Sequence, residues 1–411
     1  MAYRLKCPAC GKLYTDETTM YQCPKCKGRL LILYDYHKIN ESNWMDDTKP
    51  GIWRFWRLLP VTDSSVCVTL GEGLTYLHDC PKLAREIKVV KLWVKDESRN
   101  PTTSFKDRCA AVSVSKALEF GATSVAIASD GNAGPAVAAY AAKAGLQCYV
   151  LMPTVTAPQD MLRAAVFGAT VIRVSSPGLV SDCIDLIEMV KNSLGWHHLT
   201  TATPINPYQF EGAKTIFFEL ALTLKNEMPE WVVLPAGGGG LVAAAYKAFT
   251  ELKTIGFINT IPRLLCVQSE ACAPIVKAFQ NRQYVPQAWS NVTDTKAVPL
   301  SVPRPLDGDL ALQAIYQTGG AAVAVSEIEI TQAQDLLLKE GIFASPAGAT
   351  ALAGVLKARQ AKLLNRDSSA VVVVTGGGVK DVAKDAESAI LRFNKISFDS
   401  KLLLEIVAAK L

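Results

Sequence analysis

Short, continuous runs of apolar residues recur along this chain, and stretches with a helical pattern of apolar and polar positions separate them. The runs suit buried strands, and they lie at 124–128, 147–152, 170–174, 231–234, 264–267 and 370–374. Strands that alternate with helices favour parallel sheets covered by helices on both faces. The pattern therefore predicts an α/β fold, with any ligand site at the carboxyl ends of the strands.

The chain is predicted to contain four regions. Residues 1–35 hold paired cysteines and form a ribbon, and residues 36–110 lead into the larger of two α/β domains. Residues 111–205 are predicted to form a small mobile α/β domain, and residues 206–411 complete the larger domain. The boundary falls in the proline-rich stretch at 203–207, which is typical of a connection between domains.

One lysine stands out as a candidate for covalent chemistry. Residues 100–108 read Asn-Pro-Thr-Thr-Ser-Phe-Lys-Asp-Arg and place Lys106 in a polar, turn-rich segment. A lysine that bonds covalently to a carbonyl group needs a fixed position and neighbours that lower its pKa. Taken alone, Lys106 is better explained as a solvated surface residue. The segments that follow it favour the chemical role.

Three glycine-bearing loops follow predicted strands, and two of them lead into alanine-rich helices. They are 129–134 (Ser-Asp-Gly-Asn-Ala-Gly), 237–240 (four glycines) and 375–378 (Thr-Gly-Gly-Gly). A loop between a strand and a helix can aim backbone N–H groups at an anion, and glycines allow the anion to approach closely. The spacing does not match Gly-x-Gly-x-x-Gly with an acidic residue about twenty positions later, which argues against a dinucleotide site.

Motifs spread over nearly all of the chain carry a family resemblance. They lie at 51–54 (Gly-Ile-Trp-Arg), 70–73 (Leu-Gly-Glu-Gly), 104–108 (Ser-Phe-Lys-Asp-Arg), 206–208 (Asn-Pro-Tyr) and 375–381. Through these motifs the sequence resembles the type II pyridoxal-phosphate (PLP) enzymes, and within them the threonine synthase family. The resemblance implies a type II PLP fold with two parallel-sheet α/β domains, a PLP cofactor and a small amino-acid substrate.

The resemblance also implies roles for individual residues. Lys106 would carry PLP as a Schiff base with Phe105 beside it, and Asn132 would bind the ring hydroxyl of the cofactor. Thr375 would face the pyridine nitrogen, where a hydroxyl favours elimination and replacement over transamination. The cofactor phosphate would lie on the loop formed by Gly237, Gly238, Gly239 and Gly240.

The sequence departs from the threonine synthase pattern where that family holds the phosphate of O-phosphohomoserine. A hydroxyl residue, an asparagine, an arginine and a serine are usual at these positions, which here read Ala133, Gly238, Gln209 and Pro204. The change removes charge-assisted hydrogen bonds that a dianion needs. The residues expected to contact the substrate are Ser129, Gly131, Ala133 and Gln209.

Other features resemble ammonia-releasing enzymes and leave the reaction open. The loop of four glycines followed by leucine is typical of serine and threonine dehydratases, and Asp-Gly-Asn at 130–132 resembles diaminopropionate ammonia-lyases. In that comparison Asp130 is a second catalytic proton-transfer group, although it is also placed to cap the following helix. The alternatives are a threonine-synthase-type lyase that deprotonates Cα and eliminates a β or γ group, a lyase that releases a keto acid and ammonia, and a non-catalytic zinc-ribbon protein.

The N-terminal region carries a metal-binding pattern. Two Cys-x-x-Cys pairs supply the thiols Cys7, Cys10, Cys23 and Cys26. Four thiolates at this spacing are typical of a structural zinc ribbon, with a redox dithiol as the alternative.

Composition narrows the setting of the protein. The chain has 411 residues, 49% of them hydrophobic, and a formal net charge of only +5, which gives no strong basic field for nucleic acid. No apolar run approaches the roughly twenty residues that a membrane span needs, and the N-terminus lacks a signal-peptide pattern. The scattered remaining cysteines suit reduced thiols in a cytoplasm. We expect a cytoplasmic enzyme with no nucleic-acid or membrane partner and, as the resemblance implies, a homodimer.

Overall fold

The computed structural model describes residues 3–15, 20–175, 180–225 and 227–384. In chain order its strands are β1 Arg4–Lys6, β2 Leu13–Thr15, β3 Leu31–Leu33, β4 Leu77–Asp79, β5 Lys91–Asp96, β6 Ser124–Ala128, β7 Gln147–Pro153, β8 Thr170–Val174, β9 His197–His198, β10 Trp231–Pro235, β11 Arg263–Ser269, β12 Ala321–Val325 and β13 Ser369–Val374. Every strand predicted from the apolar runs is therefore present.

The α-helices alternate with these strands. In chain order they are α1 Pro81–Ile87, α2 Lys106–Glu119, α3 Ala133–Ala144, α4 Pro158–Ala165, α5 Val180–Leu194, α6 Pro207–Ala213, α7 Thr215–Thr223, α8 Gly240–Thr254, α9 Pro274–Gln280, α10 Gly308–Gln317, α11 Glu327–Lys339 and α12 Pro346–Gln360. The alternation confirms the α/β class.

The larger sheet has six strands in the order β12-β11-β10-β13-β5-β4. All neighbouring strands are parallel except β4, which runs antiparallel to β5 at the edge. Alternate residues of β10 enter different cores, since Val232 and Leu234 pack on the side of α8 while Trp231 and Val233 pack on the side of α12. Burial on both faces explains why this strand is a continuous apolar run.

The smaller sheet has four parallel strands in the order β8-β7-β6-β9. Its central strand β6 is buried at every position, and helices α3 and α5 pack against it. The fold is that of two parallel-sheet α/β units, as predicted. The domain boundaries proposed from the sequence stay a prediction, and residues 385–411 lie outside the described part of the chain.

The N-terminal ribbon is a three-stranded antiparallel sheet in the order β2-β1-β3. It shares the main hydrophobic core, because Tyr3 and Leu5 are buried and the ring of Tyr3 lies 6.4 Å from that of Tyr208 in α6. The ribbon is therefore packed onto the α/β body. Across the described ranges, no helix has both the length and the apolar character that crossing a bilayer requires.

Candidate active site

A cavity of about 180 Å³ lies where the carboxyl ends of β6, β10 and β13 face the first turn of α2. Sequence reasoning placed a site at these strand ends, and the structure brings the predicted residues together there. The predicted residues that line the cavity are Phe105, Lys106, Ser129, Asp130, Asn132, Ala133, Gln209, Gly237, Gly238, Gly239, Gly240 and Thr375. Gly131 lines an adjacent, smaller cavity instead.

Lys106 is the first residue of α2 and its amine lies in the cavity. Nζ donates a hydrogen bond to Oγ1 of Thr201 over 2.8 Å. Burial lowers the pKa of the Lys106 ammonium below its ordinary value, while Cys109, Asp130 and Asp307 act in the opposite direction. A lowered pKa increases the fraction of neutral amine, which is the form that attacks carbonyl carbon.

The turn before Lys106 is fixed by polar bonds at both ends. The backbone N–H of Phe105 donates to the carbonyl of Thr375 over 3.1 Å, which ties the lysine segment to the end of β13. The carboxyl group of Asp107 accepts from the backbone N–H and the hydroxyl of Thr102, both over 2.8 Å. Burial raises the pKa of Asp107 to about 7. Lys106 therefore stands on a rigid turn.

A buried cluster of charged side chains also holds the turn that precedes Lys106. The guanidinium of Arg108 is fully buried and bonds both carboxylate oxygens of Glu97, over 2.7 and 2.8 Å, and both of Glu219, over 2.6 and 2.8 Å. Lys95 also bonds Glu219 over 2.7 Å. Burial alone would raise the pKa of Glu219, but Arg108 and Lys95 hold it at about 2. The cluster joins β5, α2 and α7.

The loop at 129–133 connects β6 to α3. The hydroxyl of Ser129 accepts from the backbone N–H groups of Gly131 and Gly134, over 3.2 and 2.9 Å, and so shapes the loop. Asn132 is the N-cap residue of α3 and makes no side-chain cap bond. The hydroxyl of Ser129, rather than the carboxylate of Asp130, thus accepts from the first turn of the helix.

Asp130 lies close enough to Lys106 for the two charges to interact. Burial raises the pKa of the Asp130 carboxyl to about 6, although Lys106 acts to lower it. A carboxyl group with a pKa near 6 can both hold and release a proton near neutral pH. The pair therefore has the properties of two proton-transfer groups in one cavity.

Asn132 is held in one orientation by two cations. Its Oδ1 accepts from Nζ of Lys380 over 2.7 Å and from Nη1 of Arg163 over 3.3 Å. Gly376 leaves room for this reach, because a Cβ there would lie 2.9 Å from Nζ of Lys380. With its acceptor engaged, the amide has its Nδ2 hydrogens left to donate toward the cavity.

The four glycines form a cradle before helix α8. Gly239 has φ +96°, and a Cβ there would lie 2.8 Å from the carbonyl oxygen of Asp307, whereas a Cβ on Gly238 would meet open space. The loop therefore packs tightly on one side and is open on the other. A glycine loop at the start of a fifteen-residue helix is suited to a phosphate group. These residues fit the PLP phosphate.

The four ribbon cysteines converge as a zinc site requires. Their Sγ atoms all lie within 4.8 Å of one another, with Cys7 and Cys26 3.5 Å apart and Cys10 and Cys23 3.6 Å apart. A tetrahedron with Zn–S bonds of about 2.3 Å needs S–S separations of roughly 3.8 Å. The donor set and its spacing thus fit zinc.

Several residues of the site were not identified from the sequence. Thr201, Arg163 and Asp307 lie in no recognisable motif, and they reach the site only through the fold. Lys380 belongs to the motif at 375–381, so the sequence indicated that this segment is part of the site. Its contact with Asn132 could not be predicted, because the two residues are 248 positions apart.

Three of the four positions that depart from the threonine synthase pattern, Ala133, Gln209 and Gly238, lie in the cavity wall, whereas Pro204 is not among the residues that line the cavity. Gln209 and Ala133 are both buried there. The cations among the described residues of this wall are Lys106 and Arg304. Arg304 is 48% exposed and contacts Asp185 of α5 over 3.3 Å. The wall therefore offers an anionic substrate group one half-exposed guanidinium.

Comparison with known proteins identifies the family. The sequence profile described as pyridoxal-phosphate dependent enzyme matches residues 68–376. Threonine synthases from Methanocaldococcus jannaschii and Methanosarcina acetivorans are each 38% identical to this chain over 382 residues, which is 92% of this chain and 92% of theirs.

Solved structures show the same fold at lower identity. The diaminopropionate ammonia lyase from Escherichia coli has a TM-score of 0.66 and 19% identity, covering 85% of this chain and 96% of that one. The threonine deaminase isoform 2 from Solanum lycopersicum has a TM-score of 0.65 and 21% identity, covering 84% and 96%. At these identities the solved structures show the fold alone, whereas the sequence relatives show the family. This chain belongs to the threonine synthase family of PLP-dependent lyases, which act by elimination.

Proposed function

We propose that this protein catalyses the threonine synthase reaction on O-phosphohomoserine. In this reaction Cα and Cβ each lose a proton and the bond from Cγ to the phosphate oxygen breaks. Cγ then gains a proton, water adds its hydroxyl at Cβ and gives its remaining proton to the phosphate, and Cα regains its proton, which gives threonine and phosphate. The observation that carries the proposal is Lys106, which places an amine of lowered pKa between the glycine loop at 237–240 and the loop at 129–133. The threonine synthases at 38% identity over 92% of the chain support it.

The cofactor would be held at three points. The glycine loop and the start of α8 would bind its phosphate, Asn132 would donate Nδ2–H to its ring hydroxyl, and Thr375 would face its ring nitrogen. Phe105 would pack beside Lys106, whose Nζ lies 5.0 Å from the centre of the Phe105 ring. When bound, PLP supplies an electron sink for the negative charge that develops at Cα.

The protein groups would carry the protons. Nζ of Lys106 would take one proton from Cα and one from Cβ of the bound amino acid, and it would return one to Cγ and one to Cα. The backbone N–H groups of the 129–133 loop would bind the substrate carboxylate, next to the start of helix α3. Thr201 would orient the lysine amine, since the two side chains are bonded over 2.8 Å.

Arg304 would bind the substrate phosphate. The family's usual arginine position is Gln209 here, and it supplies only a neutral amide. Arg304 lines the same cavity, and its contact with Asp185 is long and exposed enough to be exchanged for a phosphate. A guanidinium binds phosphate through paired N–H donors.

Product analysis tests this function. The purified, PLP-loaded protein is incubated with O-phosphohomoserine, and phosphate and threonine are measured together. The proposal expects both in equal amounts, and it expects neither from Lys106→Ala. A control, Lys82→Ala, changes an exposed lysine in α1 and leaves the yield unchanged. Phosphate without threonine, or no turnover by a protein that has bound PLP, would refute the threonine synthase assignment.

A second candidate reaction is the release of a keto acid and ammonia from diaminopropionate, serine or threonine. The observation that favours it is Asp130, whose carboxyl pKa of about 6 suits a proton donor to a departing group. Incubation with each of these amino acids, followed by keto-acid and ammonia assays, decides between the two reactions. In that case Asp130→Asn would lose most of the turnover, whereas unchanged turnover would leave Asp130 with no catalytic part.

We also propose zinc binding by the four ribbon cysteines, a cytoplasmic location and a homodimer. None of the eleven cysteines of the chain is in a disulfide, which suits a reducing compartment. Exposed apolar side chains recur within one short stretch of the chain, at Val155, Leu162, Val166 and Phe167, and would offer a surface to a second subunit. Metal analysis of the purified protein and its mass by light scattering test the zinc and the dimer.

A further inference from the structure

Arg29 extends from the zinc ribbon to the edge of the active site. Its Nη2 donates to the carbonyl oxygen of Leu306 over 2.9 Å and lies 2.9 Å from Oδ1 of Asp309. The side chain is only 15% exposed. One guanidinium therefore grips the segment 306–309 through both its backbone and a carboxylate.

The segment that Arg29 grips forms part of the active-site wall. Leu306 and Asp307 line the active-site cavity of about 180 Å³. The backbone N–H of Asp307 donates to the carbonyl oxygen of Gly238 over 3.0 Å, and the Asp307 carbonyl closes one side of Gly239. The position of this segment consequently determines the position of the glycine loop.

Asp307 also ties the segment to the connection between the two sheets. Its carboxylate accepts from the backbone N–H of Thr203 over 3.1 and 3.2 Å and from the hydroxyl of the same residue. The ribbon meets this connection directly as well, since Nε2 of Gln22 donates to the carbonyl oxygen of Pro204 over 3.0 Å. Ribbon, connection and glycine loop thus form one hydrogen-bonded unit.

We propose that Arg29 is a positioning residue for the cofactor site, through which the zinc ribbon sets the geometry of the loop at 237–240. The proposal rests on the function proposed above, in which that loop binds the PLP phosphate. Arginine suits the task because its planar guanidinium is rigid and bonds two acceptors in fixed directions. An intact ribbon is then a condition for tight cofactor binding.

The affinity for PLP tests the proposal. In Arg29→Met the Leu306 carbonyl and Asp309 lose their partner, and we expect the PLP dissociation constant to rise roughly tenfold, as the loss of a charged hydrogen bond predicts. Arg29→Lys should recover part of the affinity. The matched control is Arg4→Met, which alters an exposed arginine on ribbon strand β1 and should bind PLP as the unaltered protein does.

Two measurements distinguish a role in positioning the glycine loop from a general loss of stability. PLP binding is followed by quenching of tryptophan fluorescence, and the melting temperature of each cofactor-free variant is measured alongside. The proposal expects Arg29→Met to weaken PLP binding with a melting temperature within a few degrees of the control. Unchanged PLP affinity in Arg29→Met overturns the proposal. A loss of affinity in Gln22→Ala, which removes the other ribbon contact, without a loss in Arg29→Met overturns it as well.

Metal removal provides an independent arm. Treating the unaltered protein with a zinc chelator should raise its PLP dissociation constant, and the same treatment should have a smaller further effect on Arg29→Met. Equal effects on both proteins would show that the ribbon does not act through Arg29. The absorbance of the cofactor tests the proposed function separately. If the unaltered protein forms no lysine-bound PLP, the proposed function is wrong, whatever the effect of Arg29.

Discussion

Replacing Arg108 by Met should destabilise the fold strongly, because it leaves buried charge without a partner. The change removes every charge-assisted bond between Arg108 and the carboxylates of Glu97 and Glu219 while keeping an apolar side chain of similar length. Glu219 would retain Lys95. Glu97, which is fully buried, would retain only the neutral donors of Thr75 and Asn100.

The expected loss is in the free energy of unfolding, because Lys95 is then the one cation left for the two carboxylates of Glu97 and Glu219. Removing one partner of a buried ion pair costs about 3–5 kcal/mol. Arg99→Met is the matched control, since Arg99 makes an ion pair with Asp96 in the same region but its side chain is 62% exposed. The control should cost less than about 1 kcal/mol.

The loss should depend on pH with a definite sign. In the unaltered protein the pKa of Glu219 is lowered from its ordinary 4.5 to about 2, so this carboxylate stabilises the fold above pH 4.5 and stops doing so as the pH falls toward 2. In Arg108→Met, Glu219 loses the arginine that lowers its pKa, so burial raises that pKa and the folded variant takes up protons as the pH falls. The free-energy difference between the two proteins is therefore larger at pH 7 than at pH 5.

Urea denaturation followed by circular dichroism, at pH 7 and at pH 5, measures these differences for both variants and the unaltered protein. Because Lys106 stands on the same turn, PLP absorbance is recorded in parallel and should fall in Arg108→Met. A cost for Arg108→Met that equals that of Arg99→Met, or that does not change between the two pH values, would refute the reasoning.

Three further predictions concern the cavity. In Lys380→Met the Asn132 amide keeps only the longer bond from Arg163, so PLP affinity and the absorbance of lysine-bound PLP should change. Lys339→Met, on the surface of α11, should alter neither, and equal spectra for the two variants would contradict the role of Lys380. Arg304→Met should raise KM for O-phosphohomoserine about tenfold with little change in kcat, and an unchanged KM would exclude it as the phosphate ligand. Keto-acid release that uses protonated Asp130 should fall as the pH rises through about 6, and Asp130→Asn should remove that step from the pH profile, which a retained step would contradict.

The sequence predicted the strand ends that form the site because the physics there is local. Continuous apolar runs such as 370–374 define buried parallel strands, and parallel strands place their carboxyl ends on one edge. The loops after the neighbouring strands β10 and β13 of the larger sheet therefore meet, and they bring Gly237 and Thr375 together. Asn132 follows β6 of the smaller sheet, so only the packing of the two sheets places it in the same cavity.

The missing part of the prediction consists of contacts between distant segments. Glu219 lies 111 positions from Arg108, and no local pattern pairs them. The bond from Arg29 to Leu306 spans 277 positions, so only the packing of the ribbon on the body reveals it. Strands β5 and β12 were also not predicted, because β5 carries charged residues at Lys91, Lys95 and Asp96 and β12 is a short run dominated by alanine.

The most direct test of the central claim is to locate the covalent attachment of PLP. The PLP-loaded protein is reduced with borohydride, digested and analysed by mass spectrometry. We predict that the pyridoxyl group is on the peptide that contains Lys106 and is absent from Lys106→Ala. A pyridoxyl group on another lysine of the cavity region, such as Lys380, or a reduced protein with no attached cofactor, would contradict the account.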